Sequence, residues 1–86
     1  MMYEFEDPES PELLLENIIK NLVAVPEEVE IEVTETSSTT VLSIDVVPDD
    51  RGKIIGRGGI IIESMKTIFN AIGGRRNRAI ILDIKE

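Results

Sequence analysis

Arg51-Gly52-Lys53-Ile54-Ile55-Gly56-Arg57-Gly58-Gly59-Ile60-Ile61-Ile62 is the stretch whose reading decides the fold. It holds four of the chain's six glycines and three of its nine basic residues, set between the pairs Ile54-Ile55 and Ile61-Ile62. Gly56, Gly58 and Gly59 lack a Cβ, so the backbone there can take positive φ and another molecule's backbone can come within contact distance. The flanking isoleucines anchor both ends to a core, which a flexible linker would not need.

From Ile60 onward, Ile61, Ile62, Met65, Ile68, Phe69 and Ile72 recur at spacings of three and four, with Glu63, Ser64, Lys66, Thr67 and Asn70 between them. That period predicts an amphipathic helix beginning at Gly58 or Gly59. Backbone N–H groups left free at such a start, with the positive end of the helix dipole, favour an anion. Arg57 and Lys53 add positive charge on the same side, and phosphate is the expected guest.

Composition bounds the rest. The 86 residues suit one domain, and they include no Cys and no His. That argues against disulfides, the usual zinc sites and most nucleophile–base arrangements. An intracellular, cytoplasmic compartment fits the lack of cysteine. No basic leader precedes a long apolar run, and no stretch approaches the roughly 20 apolar residues that span a bilayer, so a soluble chain without membrane attachment is expected.

A net charge of −8 argues at first against nucleic acid, whose binding depends on neutralising phosphates. The placement of the charges along the chain argues the other way. Residues 1–50 carry 14 acids against Lys20 alone, whereas residues 51–86 carry eight bases against three acids. The basic share therefore lies with the glycines, although solvated faces would also account for two such charge runs.

Met1 to Glu9, with Glu4, Glu6, Asp7 and Glu9 and only Tyr3 and Phe5 as large side chains, reads as a frayed acidic arm. Ser10 offers an N-cap, Pro11 suits the first helical position, and a helix is expected from Pro11 to about Val23. Leu14, Leu15, Ile18, Ile19 and Leu22 form its buried stripe, which leaves Leu13 outside as a candidate partner contact. Pro26 is the expected stop.

Val29, Ile31 and Val33 then alternate with acids, which predicts a strand with one wet face. Thr36 to Thr40 reads as a turn and Val41 to Val47 as a second strand, making a hairpin. Asp49 or Asp50 can cap a short helix that runs through Ile55. After the long helix, Gly73 and Gly74 are the expected stop and Arg75, Arg76 and Asn77 an exposed basic turn. Arg78 to Ile84 makes the last strand, with Ile80, Leu82 and Ile84 on one face. The reading is α+β, in the order helix, strand, strand, helix, helix, strand. Since every apolar face must be buried, a three-stranded mixed sheet covered on one face by three helices follows.

Ile54-Ile55-Gly56-Arg57-Gly58-Gly59, with Ile62 three places beyond, resembles the signature of the KH domain: two apolar residues, a G-x-x-G loop between two helices, and a further apolar residue. The element order resembles the type II, or prokaryotic, KH fold over roughly residues 11 to 85, with the KH domain set at 10–86. With the Pro48-Asp49-Asp50-Arg51-Gly52-Lys53 lead-in, the chain is similar to the small single-KH bacterial RNA-binding proteins of the KhpA/YlqC family.

That resemblance implies recognition of about four nucleotides of single-stranded RNA or DNA, gripped at the backbone. Carried over by residue, the phosphate clamp falls on Gly56, Arg57, Gly58 and Gly59. Arg51 and Lys53 would rim the groove, and Ile55 and Ile62 would shape or support its apolar floor. A regulatory or chaperone-like role is implied, as is pairing with itself or with a second KH-containing RNA-binding protein. Gly58 and Ile60 stand where polar or basic residues are common in the family, and no aromatic residue lies near the loop for stacking. Weak affinity and low sequence selectivity are the expectation.

Other classes have less behind them. Glu63 and Asp83 are carboxylates without an evident partner, so no catalytic residue, metal or cofactor is assigned. Gly56-Arg57-Gly58-Gly59 lacks the lysine and hydroxyl of a P-loop and the third glycine of a dinucleotide fold. The alternative to an RNA binder is a KH-shaped protein interaction module, motivated by the acidic surface and by Leu13 and Ile60. Arg75, Arg76 and Arg78 read either as a solvated turn or as a second phosphate contact.

Overall fold

Ser10 starts the first helix as its sequence dictates: the hydroxyl accepts from the Leu13 N–H at 3.1 Å, and Pro11 takes the first helical position. The structure, a computed structural model, describes residues 9–86. Apart from Glu9, the expected acidic arm lies outside the described residues. Helix α1 spans Pro11–Leu22, with Leu15 and Ile19 fully buried, Leu14, Ile18 and Leu22 packed beside them, and Leu13 exposed. The chain leaves the helix at Val23, and Pro26 opens a 3₁₀ turn, Pro26–Glu28.

Strands β1 (Glu30–Glu35) and β2 (Thr39–Asp45) pair antiparallel, with Val33 opposite Leu42. The hairpin is tighter than the expected Thr36–Thr40 turn. The Thr36 N–H donates to the Thr39 carbonyl at 2.8 Å, and the Thr39 N–H donates to the Thr36 hydroxyl at 3.1 Å. The closed turn brings Thr39 and Thr40 into the ladder, so β2 begins and ends two residues earlier than its apolar run suggests.

Strand β3 (Ala79–Ile84) runs parallel to β2 with Leu42 opposite Leu82, giving a mixed sheet in the order β1-β2-β3. Leu42, Ile44, Ile80 and Leu82 belong to one buried core with Leu15, Ile19, Ile54, Ile62, Met65 and Phe69. The pairing places Glu30, Glu32, Asp45 and Asp83 together on the other face, where Lys85 bonds to Glu32. Apolar alternation thus selects the covered face, and the acids take the wet one.

Between the hairpin and β3 lie helices α2 (Arg51–Ile55) and α3 (Ile60–Arg75). Gly73 and Gly74 do not stop α3. They are helical, and the left-handed residue that ends the helix is Asn77, at φ 57°. There the Asn77 N–H donates to the Gly74 carbonyl and the Arg78 N–H to the Gly73 carbonyl, at 3.3 and 2.9 Å, a Schellman closure. Gly73 serves packing instead. It is buried, and a Cβ on it would run into the Arg78 carbonyl and lie 3.1 Å from the Ile80 nitrogen. Ile68, expected on the buried stripe, is 55% exposed, because the stripe centres on Ile62, Met65, Phe69 and Gly73.

Candidate nucleic-acid interface

Helix α2 ends in the turn that the glycines demand. The Gly56 N–H donates to the Gly52 carbonyl at 2.9 Å, and the Gly59 N–H donates back to the Gly56 carbonyl at 3.0 Å. Gly56, Gly58 and Gly59 have φ of 76°, 65° and 82°, so three of the four residues of Gly56–Gly59 occupy conformations that side chains resist. Their surroundings differ. A Cβ on Gly56 would meet Ile61, whereas one on Gly58 would have nothing within 4 Å and one on Gly59 only Glu63 Cγ at 4.0 Å. Internal packing therefore requires Gly56, while Gly58 and Gly59 leave an open backbone surface.

That surface lies at the start of α3, whose N-cap is Gly59 and which has no side-chain cap. The first turn of a 16-residue helix thus offers backbone donors and a positive dipole end where the glycines leave room. Arg57 is exposed within the turn. Lys53 is exposed on α2, but its ammonium lies 3.3 Å from Asp50 Oδ1. Arg51 opens α2 half-buried, and its Nε is buried without a hydrogen-bond partner among the described residues.

The two apolar positions separate. Ile55 is 40% exposed at the end of α2, beside the turn, whereas Ile62 is a core residue. Ile62 accordingly packs in the core, and of the two Ile55 is the isoleucine with accessible surface. A further shallow concavity of about 320 Å³, lined by Lys66, Asn70, Ile80, Ile81 and Leu82, runs between α3 and β3. The sequence reading missed it, because only the topology brings β3 beside that flank of α3.

Asp50 was also misread. It caps no helix with its side chain; it is buried, and its carboxylate accepts from the Ala24 and Val25 N–H groups at 3.1 and 3.0 Å. Burial pushes its pKa up, but those two bonds and Lys53 outweigh it and hold the carboxyl below the ordinary aspartate value. Asp50 thus ties the exit from α1 to the segment leading into the glycine turn. Arg78 is likewise engaged: its Nε donates to the Thr40 hydroxyl at 2.8 Å and its Nη2 to the Thr36 and Thr39 carbonyls at 2.8 and 3.1 Å. Arg75 and Arg76 remain exposed.

A glycine turn of this form between two helices, on a mixed three-stranded sheet in the order α-β-β-α-α-β, defines a type II KH domain. Residues 12–84 match the family model described as KhpA/KhpB, KH domain, and the chain belongs to that family. It is 42% identical over 71 residues to a protein of Oceanobacillus iheyensis named RNA-binding protein KhpA, covering 83% of this chain and 95% of that one. Proteins of the same name from Clostridium acetobutylicum and Borreliella burgdorferi are 34% and 39% identical over 71 residues, covering 83% of this chain and 95% and 87% of theirs. These relatives are bacterial, and their name describes binding rather than a reaction. No solved structure matches the chain.

Proposed function

We propose that this protein binds single-stranded RNA without catalysis, docking the phosphate backbone on Gly56–Gly59 and the start of α3. The observation that carries the reading is the open left-handed backbone at Gly58 and Gly59, uncapped and beside the exposed Arg57. Arg51 and Lys53 extend the positive rim, Ile55 offers apolar surface to a base, and Ile62 supports it from the core. The acidic sheet face repels polyphosphate and confines binding to this edge. Phosphate contacts position the strand and the few base contacts discriminate weakly, so single-stranded DNA binds by the same route. A cytoplasmic, regulatory or chaperone-like role in bacteria fits such a binder, and the names of the relatives support RNA as the ligand.

Fluorescence anisotropy of a short mixed-sequence RNA against wild type and the double variant Arg57→Asp, Gly58→Asp tests the reading. The space around Gly58 accommodates the new side chain, and aspartate tolerates the left-handed region better than most residues. Binding by wild type and none by the folded variant is the expected outcome. Equal binding by both would move the site elsewhere.

A second reading is favoured by Ile60 and Ile68, which are 64% and 55% exposed on α3. In it the protein acts chiefly as an interaction module, pairing as a homodimer or with a second KH-containing RNA-binding protein. Light scattering discriminates, since a strict monomer that binds RNA counts against this reading.

A further inference from the structure

Asp50 is a buried carboxylate, 1% exposed, that the docking of RNA on the glycine turn leaves without a task. Its two oxygens divide between consecutive N–H groups: Oδ1 accepts from Ala24 at 3.1 Å and Oδ2 from Val25 at 3.0 Å. Oδ1 also lies 3.3 Å from the Lys53 ammonium. One side chain thus joins the exit from α1, 26 and 25 positions back along the chain, to the first turn of α2.

Helix α2 needs such a tie. Its five residues are too few to hold a helix by themselves, and Gly52 in the interior weakens it further. Ile54 is its one buried residue among the described residues, so the core grips α2 at a single point near its end. Asp50 supplies a second fixed point at the opposite end, immediately before Arg51. Two separated points set the direction of the helix as well as its place. The glycine turn inherits both, because the Gly56 N–H donates to the Gly52 carbonyl and the Gly59 N–H to the Gly56 carbonyl. On its other side the turn runs into α3, which Ile62, Met65 and Phe69 hold in the core. The α2 side is the less anchored of the two, and Asp50 lies on that side.

We propose that Asp50 is the positioning residue of the glycine turn: by holding the start of α2 to the exit from α1, it keeps Gly56–Gly59 in the conformation that docks a phosphate backbone. This rests on the reading of that turn as the RNA site, and it makes binding depend on the Ala24–Val25 segment, which lies outside the turn. Asparagine at position 50 preserves the shape and removes the tie. Its amide has one acceptor oxygen for two N–H groups, and its NH₂ faces a second donor.

Amide hydrogen exchange, followed by NMR on the full chain, reads the tie without RNA. In wild type the Ala24, Val25, Gly56 and Gly59 amides are expected to exchange through one shared opening, with protection factors within about threefold of one another. In Asp50→Asn, Gly56 and Gly59 should exchange at least about tenfold faster, the loss that goes with hydrogen bonds to a charged acceptor. Ile44→Val, a mild truncation in the core of β2, lowers overall stability and should leave those two rates unchanged. Anisotropy of a short mixed-sequence RNA is then compared between Lys53→Gln and Lys53→Gln with Asp50→Asn, so that the ammonium released from Asp50 adds no cation to the site. The change at Asp50 should weaken binding at least about threefold, as for positions coupled through a shared backbone shift. Unchanged glycine exchange in Asp50→Asn would overturn the proposal, as would faster exchange with unaltered RNA affinity. Where Asp50→Asn does not fold, the wild-type rates decide, and protection at Ala24 and Val25 unrelated to that at Gly56 and Gly59 overturns it. Absence of RNA binding by wild type would instead overturn the RNA reading, while the exchange rates still show whether Asp50 holds the turn.

Discussion

The position that a Cβ would take on Gly56 lies 2.6 Å from Ile61 Cγ1. The residue that ends α2 and the residue that begins the partly buried flank of α3 are therefore in contact through the absence of a side chain. At φ 76° and ψ 171° the Gly56 backbone lies in a region that essentially only glycine occupies, and the Ile61 contact excludes a side chain independently.

Gly56→Ala should accordingly cost far more than Gly58→Ala, although both glycines have positive φ. Overpacking against Ile61 adds to the conformational penalty at Gly56, for about 2–4 kcal/mol and a melting temperature lower by at least about 10 °C. At Gly58 only the conformational term of about 1 kcal/mol applies. Thermal melts of the two variants check the difference. Equal destabilisation would mean that neither the Ile61 contact nor the mirror-extended backbone at Gly56 carries its expected cost.

Asp50→Asn should lower the melting temperature by several degrees at neutral pH, because an amide has one acceptor oxygen for the Ala24 and Val25 N–H groups and no charge for Lys53. The pH dependence has a definite sign. Asp50 has a folded pKa below its ordinary value of 3.8, so its contribution is present above that value and is lost as the pH falls through the folded pKa. The gap between wild type and Asp50→Asn should be constant near neutrality and narrow only below about pH 4. A gap that already closes between pH 7 and 5 would contradict the assignment.

Arg78→Lys separates a structural arginine from an RNA-binding one. The guanidinium reaches Thr40, Thr36 and Thr39 together, which a single ammonium cannot do, so a loss of about 1–3 kcal/mol is expected in urea unfolding. RNA affinity, measured where the variant remains folded, should stay at the wild-type value. A large drop in affinity with stability intact would assign Arg78 to phosphate.

Most of the architecture was legible because its signals are local. Ser10-Pro11 marks a helix start, alternating apolar residues mark strands, and glycines between isoleucines mark a tight turn between helices. Asp50, Gly73 and Ile68 were misread for a common reason: each answers to a partner that its own neighbourhood in the chain does not reveal. Asp50 bonds to residues 25 and 26 positions away, and Gly73 is small to admit β3. Ile68 satisfies the helical period, yet the sheet meets α3 on the neighbouring stripe. At the candidate site the glycines were readable from composition alone. The pairing of Lys53 with Asp50 was not, since an acid three places before a lysine is equally compatible with an N-cap.

That pairing sets the last prediction, which concerns the salt dependence of RNA binding. Each phosphate neutralised on a single strand contributes about 0.7 to the slope of log affinity against log salt. Arg57 is exposed in the turn, so Arg57→Ala should reduce the slope by about that amount. Lys53 already has a carboxylate 3.3 Å from its ammonium, so less net charge is available to a phosphate, and Lys53→Gln should change the slope by less. Anisotropy titrations of both variants at several salt concentrations measure the two changes directly. Equal changes would mean that Lys53 leaves Asp50 for the RNA when the strand binds.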